Sequence, residues 1–463
     1  MEWLIDPAVN QNALNRFFDG MNRENYEVHT LQIYKGGRQI LRLAQEPYSC
    51  TDAREVYSLS KMFASTVVGI AVDKGLVCVE DKLVDIFGRE GASEKFSHMT
   101  LRHLLSMNTG HDRCVMPDMC YAESSVEAFF GIEPVYEPGT HFTYNTGASC
   151  MLCSVVEKVT GTDFFDFACE NLFYPLGITN VSWNRCLDGV CCGGVGLHVS
   201  NDDIMKLGLM YSNGGVYQGR RILSESWIRE ASSYVSDNSA NGSPDWCSGY
   251  GYQIWLNSRD GYRGDGAFGQ LCMILPKHDM VVAVQAIGDD MQSEIDHLFE
   301  LLDDLIGESD AGTVYSFAPL AGDRELPTVD AVYRLEKNPA DFRTVWIRSG
   351  GNEVQAAFSD GGEIQTVTAK AGCWTMNRCA AKNMTPTLYG LEPTAHREQI
   401  TVAASCAQLG EKTVICQRYR NNPHTEHMEI TFRDDQIRIE FTDPSGRVLR
   451  PDNMRVLVGR KQS

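Results

Sequence analysis

No run of about 18 apolar residues interrupts this 463-residue sequence, so no membrane-spanning helix is expected. The opening Met1-Glu2-Trp3-Leu4-Ile5-Asp6 has neither a basic segment nor a long apolar one, which argues against a secretory signal. No serine lies in a Gly-x-Ser-x-Gly frame, so a Ser–His nucleophile elbow is not expected. His103, His111 and His141 therefore read as ordinary side chains. Cys150-x-x-Cys153 and the Cys191-Cys192 pair have no second C-x-x-C and no H-x-x-x-H at ligand spacing. The reading is no metal and no cofactor, with the cysteines as small buried hydrophobes. Internal repeats and low-complexity tracts are also missing. Basic side chains are in deficit, 41 against 61 acidic ones, for a net charge of −20. The deficit is uneven. Residues 328–463 carry 18 basic and 16 acidic groups, leaving 23 basic and 45 acidic in the rest. An acidic first part argues against nucleic acid and anionic membranes as partners.

What is present is a globular composition, 43% hydrophobic, in a chain long enough for two or three domains. Sixteen cysteines without a signal segment point to reduced thiols and a cytoplasmic location. Residues 27–34 and 39–44 flank Lys35-Gly36-Gly37-Arg38 and read as a β-hairpin. Helices are expected from Ser58 to Gly75, over 99–109 behind Thr100, over 148–159 before Gly161, from Asn201 or Asp202 to Tyr211, and over 291–306. Strands are expected over 250–257, 270–276 and 279–287. Residues 313–327 read as a linker, after which short β-type runs dominate from 328 to 463.

The most informative feature is Ser58-Leu59-Ser60-Lys61. In a helix, positions i and i+3 share a face, so the Lys61 amine reaches the Ser58 hydroxyl. Free N–H groups at a helix start favour a developing oxyanion. Apolar residues on most sides of this helix place Lys61 in a dry site, which lowers its pKa and lets a neutral amine act as a base. A weak nucleophile beside such a base is the pattern of covalent catalysis. Tyr144, on the loop 138–147, could share base duty with Lys61, because a nearby cation stabilises phenolate.

Several segments, in order, resemble the serine β-lactamase-related family of class C β-lactamases, penicillin-binding DD-peptidases and related esterases and amidases. They are Tyr57-Ser58-Leu59-Ser60-Lys61, residues 99–111, Glu137-Pro138-Gly139-Thr140, Glu157-Lys158-Val159-Thr160-Gly161, Gly193-Gly194-Val195-Gly196-Leu197 with Asp203, and Gly264-Asp265-Gly266 ahead of a strand. The likeness covers roughly residues 25–310. It implies an α/β (α+β) fold, an antiparallel sheet flanked by helices, with a helical subdomain inserted at about 80–200. The serine hydrolase domain would be 1–312, followed by a C-terminal all-β module at 328–463.

The resemblance also implies roles. Ser58 would be acylated, Lys61 would be its base, and Tyr144 would relay a proton to the leaving group. The N–H groups of Ser58 and of Ala267, on the strand after Gly266, would form an oxyanion hole. Two departures stand out. The family's Tyr-x-Asn asparagine falls at Thr146, while Asn145 is one place early, so either could supply the polar contact. The family's third motif, Lys/His-Thr/Ser-Gly, reads Gly264-Asp265-Gly266 and lacks the cation that grips a substrate carboxylate. Arg263 would point to the other sheet face from Gly264. The expected activity is hydrolysis of a small ester or amide through an acyl-enzyme. Alternatives are a catalytically weak binding or regulatory protein, and a β-lactamase or D-Ala peptidase. Assembly as a homo-oligomer stays open.

Overall fold

The computed structural model describes residues 3–89, 91–307, 315–322, 324–380, 399–445 and 455–462. The described residues up to 307, apart from 45–48, form one compact unit; 45–48 and those from 315 onward form a second.

The first unit is built on a seven-stranded sheet in the order Leu4–Ile5, Arg38–Ala44, Glu27–Lys35, Met280–Ile287, Gln270–Leu275, Tyr262–Gly266, Trp255–Leu256. Every pairing is antiparallel. All eight residues of Met280–Ile287 are buried, so this central strand is covered on both faces. The Asn201–Ser212 helix packs on one face, where Gly208 leaves room for Val281 and Cys272. The Gln11–Arg23 helix packs on the Glu27–Lys35 strand and on the Met291–Asp303 helix.

The hairpin expected at 27–44 is present, with Gly36 and Gly37 both at positive φ in its turn. The strand expected over 250–257 is shorter: only Trp255–Leu256 pairs as a strand, and Gln253 sits at φ 60° in a bend before it. Gly264-Asp265-Gly266, expected to lie ahead of a strand, is itself the end of a strand, Tyr262–Gly266, paired with Gln270–Leu275.

Between the two halves of the sheet lie Ser60–Asp73, a series of short helices, and Thr146–Thr160. Residues 60–71 are all buried, which explains their nearly continuous apolar pattern. A small sheet of Arg54–Glu55, Leu197–Val199 and Ser182–Trp183 holds the chain just before Ser58.

The second unit is a ten-stranded sheet in the order 364–370, 353–359, 344–351, 326–335, 456–461, 436–442, 425–433, 412–419, 399–409, 375–380. Ile364–Lys370 also pairs with Gln399–Leu409, which curls the sheet into a barrel-like module and covers its edges. Alternating side chains such as Val345, Ile347, Val354, Ala356, Ile437 and Ile439 fill its core. The all-β character matches the sequence pattern. The strand Leu326–Leu335 begins inside the segment 313–327 that reads as a linker, at Leu326 and Pro327, where the proline masks the strand pattern.

Candidate active site

Ser58 lies in a 3-10 turn, Tyr57–Leu59, that leads into the Ser60–Asp73 helix, rather than inside the α-helix proper. Tyr57 adopts φ 47°, a strained setting for a non-glycine residue. Two contacts hold it there. Its carbonyl accepts a 2.5 Å hydrogen bond from Ser60 Oγ, and its ring meets Phe268 edge-on at 5.3 Å. Ser60 Oγ also accepts from the Leu197 N–H at 3.2 Å, and Ser60 is fully buried. Ser58 is partly exposed. The two serines of the motif are thus sorted: Ser60 is committed to the backbone, and Ser58 faces Lys61.

Lys61 Nζ lies 3.1 Å from Ser58 Oγ, 3.2 Å from Thr146 Oγ1 and 2.8 Å from the Gly194 carbonyl oxygen. The residue is 1% exposed. Burial pulls its pKa down from the usual lysine value to about 7, against smaller opposing effects from Cys114 and the Asp265 carboxylate. Gly194 has to be glycine, since a Cβ there would stand 2.7 Å from Thr146 Cγ2 and 3.0 Å from Lys61 Nζ. Its carbonyl is a site group that sequence reading missed. The Gly193-Gly194-Val195-Gly196 segment was its only signal.

The Tyr144 ring lies over Lys61, 4.7 Å from Nζ to the centroid, and stacks on Trp255 at 5.2 Å. Tyr250 meets it edge-on at 6.2 Å. Asn145 and Thr146 have different contacts. Asn145 is fully buried and caps the Thr146–Thr160 helix, its Oδ1 accepting from the Gly147 and Val115 N–H groups at 3.0 Å each. Thr146 is the neighbour that reaches Lys61.

The third motif differs from its sequence reading at Gly264 and Ala267. Gly264 does not present a side-chain position to the site: a Cβ there would lie 2.6 Å from Leu59 Cδ1 and 2.9 Å from Met62 Cβ, so this face packs on the helix. Ala267 is in the tight turn between Tyr262–Gly266 and Gln270–Leu275, not on a following strand. Gly266 brings that turn against the serine, because its Cα faces Val56 O and the Leu59 N–H so closely that a Cβ would sit 2.1 Å from the former. Asp265 shares its strand face with Arg263, as alternation requires. Arg263 is fully buried and donates to Asp265 Oδ2 at 3.1 Å, to Asn257 Oδ1 at 2.9 Å and to the Asp245 carbonyl at 3.0 Å. It also lies 4.5 Å over the Trp246 ring. The Asp265 carboxyl is pushed up by burial, while Arg263, Lys61 and a hydrogen bond from Trp255 oppose the shift. Asp265 thus links Arg263 to Trp255, the residue on which Tyr144 stacks.

The three histidines have other partners. His103 Nδ1 accepts from the Thr100 N–H, His111 is held by Thr109 Oγ1 and the Ile132 carbonyl, and His141 stacks on Tyr136. Among the described residues, no group of three or more His, Cys, Asp or Glu side chains is arranged to hold a metal ion. Among them also, no helix is long and apolar enough to cross a membrane.

Ser58, the buried Lys61 and the Tyr144 loop sit together on this frame of antiparallel sheet and helices. The β-lactamase family profile matches residues 20–294. The chain belongs to the β-lactamase family, whose members are serine hydrolases. A curated relative, penicillin-binding protein 4* of Bacillus subtilis (strain 168), is 24% identical over 159 residues, 31% of this chain and 33% of that protein. The match thus spans about a third of that relative's length. Among solved structures, the octameric penicillin-binding protein homologue from Pyrococcus abyssi aligns over 96% of this chain and 99% of its own, with TM-score 0.52 and 12% identity. A family VIII carboxylesterase aligns over 65% of this chain and 100% of its own, with TM-score 0.51 and 18% identity. These likenesses establish the fold.

The contrast between neighbours 145 and 146 is testable. Thr146→Val removes a partner of Lys61, so it is expected to lower kcat for a small ester by about ten- to a hundredfold and, by leaving a buried donor unpaired, to cost about 1–3 kcal/mol of stability. Asn145→Ala removes a cap and a buried acceptor, so it should cost about 1–3 kcal/mol of stability and leave kcat of the folded protein within about threefold. Urea unfolding and steady-state kinetics on both variants check this; the reverse pattern would reassign the two residues.

Proposed function

We propose that this protein cleaves a small ester or amide through an acyl-enzyme on Ser58. The observation that carries the reading is the buried Lys61 amine at 3.1 Å from Ser58 Oγ, with a pKa near neutrality. A neutral amine has two N–H donors and one lone pair. The Gly194 carbonyl and Thr146 Oγ1 can accept the two N–H bonds, which leaves the lone pair for the Ser58 hydroxyl. Lys61 takes the serine proton as Oγ attacks the acyl carbon. The N–H groups of Ser58 and Ala267 hold the oxyanion. Tyr144 passes the proton to the leaving group. Water then repeats the attack on the acyl-enzyme and releases the acid. No step calls on a metal or cofactor.

The substrate side of the reading rests on the third motif. Arg263 is the cation nearest to Gly264 in that strand, and its guanidinium is occupied by Asp265, Asn257 and the Asp245 carbonyl. Neutral substrates suit such a site better than penicillins or D-Ala peptides, whose carboxylate needs a free cation. The altered motif also favours a second reading, a binding or regulatory protein with weak turnover. The sixteen free cysteines support a cytoplasmic setting. Nucleic acid is disfavoured as a partner by the net charge of −20.

Labelling tests the nucleophile. A fluorophosphonate is expected to add once, on Ser58, by intact mass and peptide mapping, and Ser58→Ala should abolish the adduct while Ser60→Ala in folded protein should not. An adduct on Ser60, or none on active protein, sinks the assignment.

The pH profile tests the base. Lys61 must be neutral, so kcat/KM should fall about tenfold per unit as pH drops below about 7 and level off above it. Asp265 raises the Lys61 pKa, so Asp265→Asn should shift this acid limb to lower pH. A flat profile between about pH 5 and 8 contradicts the role of Lys61.

Specificity tests the third motif. The missing charge-assisted bond is worth about 1.5–3 kcal/mol, so kcat/KM for an acyl group bearing a carboxylate should be about ten- to a hundredfold below that of its neutral analogue. A strong preference for the carboxylate form would show that another cation reaches the site.

A further inference from the structure

Three cysteines that the catalytic reading does not use meet behind the site. Cys186 Sγ lies 3.6 Å from Cys150 Sγ and 4.0 Å from Cys192 Sγ. All three are buried, and all are free thiols. Their positions in the chain matter. Cys150 is one turn along the helix that starts at Thr146, the partner of Lys61. Cys186 and Cys192 flank a hairpin-like loop in which the Cys186 N–H donates to the Val190 carbonyl and the Cys192 N–H to the Asn184 carbonyl. The Gly194 N–H then donates to the Cys192 carbonyl at 2.6 Å, and the Gly194 carbonyl faces Lys61 at 2.8 Å. The thiol contact therefore joins the two walls, helix and loop, that fix the Lys61 amine. None of this was legible in the sequence, which reads these cysteines as small buried hydrophobes; Cys153, on the same helix as Cys150, donates its S–H to the Ser149 carbonyl.

We propose that Cys150 and Cys186 are an oxidation site, forming a reversible disulfide that cross-links the Thr146–Thr160 helix to the 184–194 loop. The oxidant is a small hydroperoxide. Cys186 is the thiol in contact with both of the others, so once ionised it can accept an S–H bond from each of Cys150 and Cys192, which stabilises its thiolate and lowers its pKa. The Cys186 thiolate attacks the distal peroxide oxygen, an S–O bond forms and the O–O bond breaks. The departing oxygen takes up a proton, giving water from hydrogen peroxide and leaving a sulfenic acid on Cys186. The Cys150 sulfur then attacks the Cys186 sulfur, the S–S bond forms, the S–O bond breaks, and the hydroxide leaves with the Cys150 proton as a second water. Two thiols are oxidised by two electrons and the peroxide is reduced by two. The sulfurs need to close from 3.6 Å to the bonded distance of about 2.0 Å.

The test uses the full-length reduced protein. It is treated with hydrogen peroxide, quenched, unfolded and alkylated, then mapped by non-reducing peptide mass spectrometry. The expected product has lost two hydrogens, carries one bridge between the Cys150 and Cys186 peptides, and returns to the dithiol with dithiothreitol. Cys150→Ser should abolish that bridge, and Cys153→Ser, a change on the same helix, should leave it intact. Both variants are checked for native circular dichroism; should Cys150→Ser misfold, Cys150→Ala replaces it. A bridge between Cys186 and Cys192, one between Cys153 and Cys191, or irreversible sulfinic acid without any bridge overturns the proposal. The mapping does not depend on turnover, so its outcome is separate from that of the hydrolase reading.

Discussion

An amine held out of water is the constraint on which the rest of this site depends. Lys61 is 1% exposed, and such a group is tolerated only when its hydrogen-bonding capacity is met. Three oxygens from three separate parts of the chain do this: Ser58 Oγ from the turn before the helix, Thr146 Oγ1 from the start of a second helix, and the Gly194 carbonyl from a loop. The same burial that costs stability brings the amine toward neutrality at physiological pH. Structure and chemistry are set by one environment, and moving any of the three oxygens changes both.

Close approach is the second requirement, and it is met by glycine and by strain. Gly194 lets the loop reach Lys61, and Gly266 lets the edge of the sheet touch the turn that carries Ser58. Tyr57 at φ 47° aims the following serine out of the helix axis, and it is held by Ser60 and Phe268. Phe268 is itself at φ 69°, in the turn that carries Ala267. Two strained turns thus brace one another across the site through an aromatic contact. Backbone strain of about 1–3 kcal/mol per residue persists where the surroundings over-determine the geometry, as they do here.

The altered third motif changes what the strand edge offers. In Gly264-Asp265-Gly266, both glycines face the serine helix and its turn, while the intervening carboxylate faces Arg263 and Trp255. The result is a buried, internally neutralised pair. Its physical effect reaches the site indirectly, through Trp255 and the Tyr144 ring stacked on it, and through the field of Asp265 at Lys61. Arg263 at 0% exposure has its guanidinium shared between a carboxylate, an amide and a carbonyl, and releasing it would leave buried charge unpaired.

The sequence alone determined what depends on local spacing. Ser58 and Lys61 come together because they stand three positions apart, one helical turn. The hairpin at 27–44, the Asn201–Ser212 helix and the alternating strands of the second unit follow from periodicity and turn residues. Ordered short motifs carried the fold family. Tertiary structure decided whatever needed two distant segments in one place. Thr146 rather than Asn145 meets Lys61 because the helix begins one residue after Asn145, which is consumed as its cap. Gly264 turns to the helix because the strand begins at Tyr262 and already includes Gly264-Asp265-Gly266, whereas that polar, glycine-rich sequence suggests a start only after Gly266. The Gly194 carbonyl and the Cys150–Cys186 contact are invisible to any pattern, since backbone acceptors carry no residue signature and the two thiols lie 36 positions apart. Spacing fixes faces, but only packing fixes which faces meet.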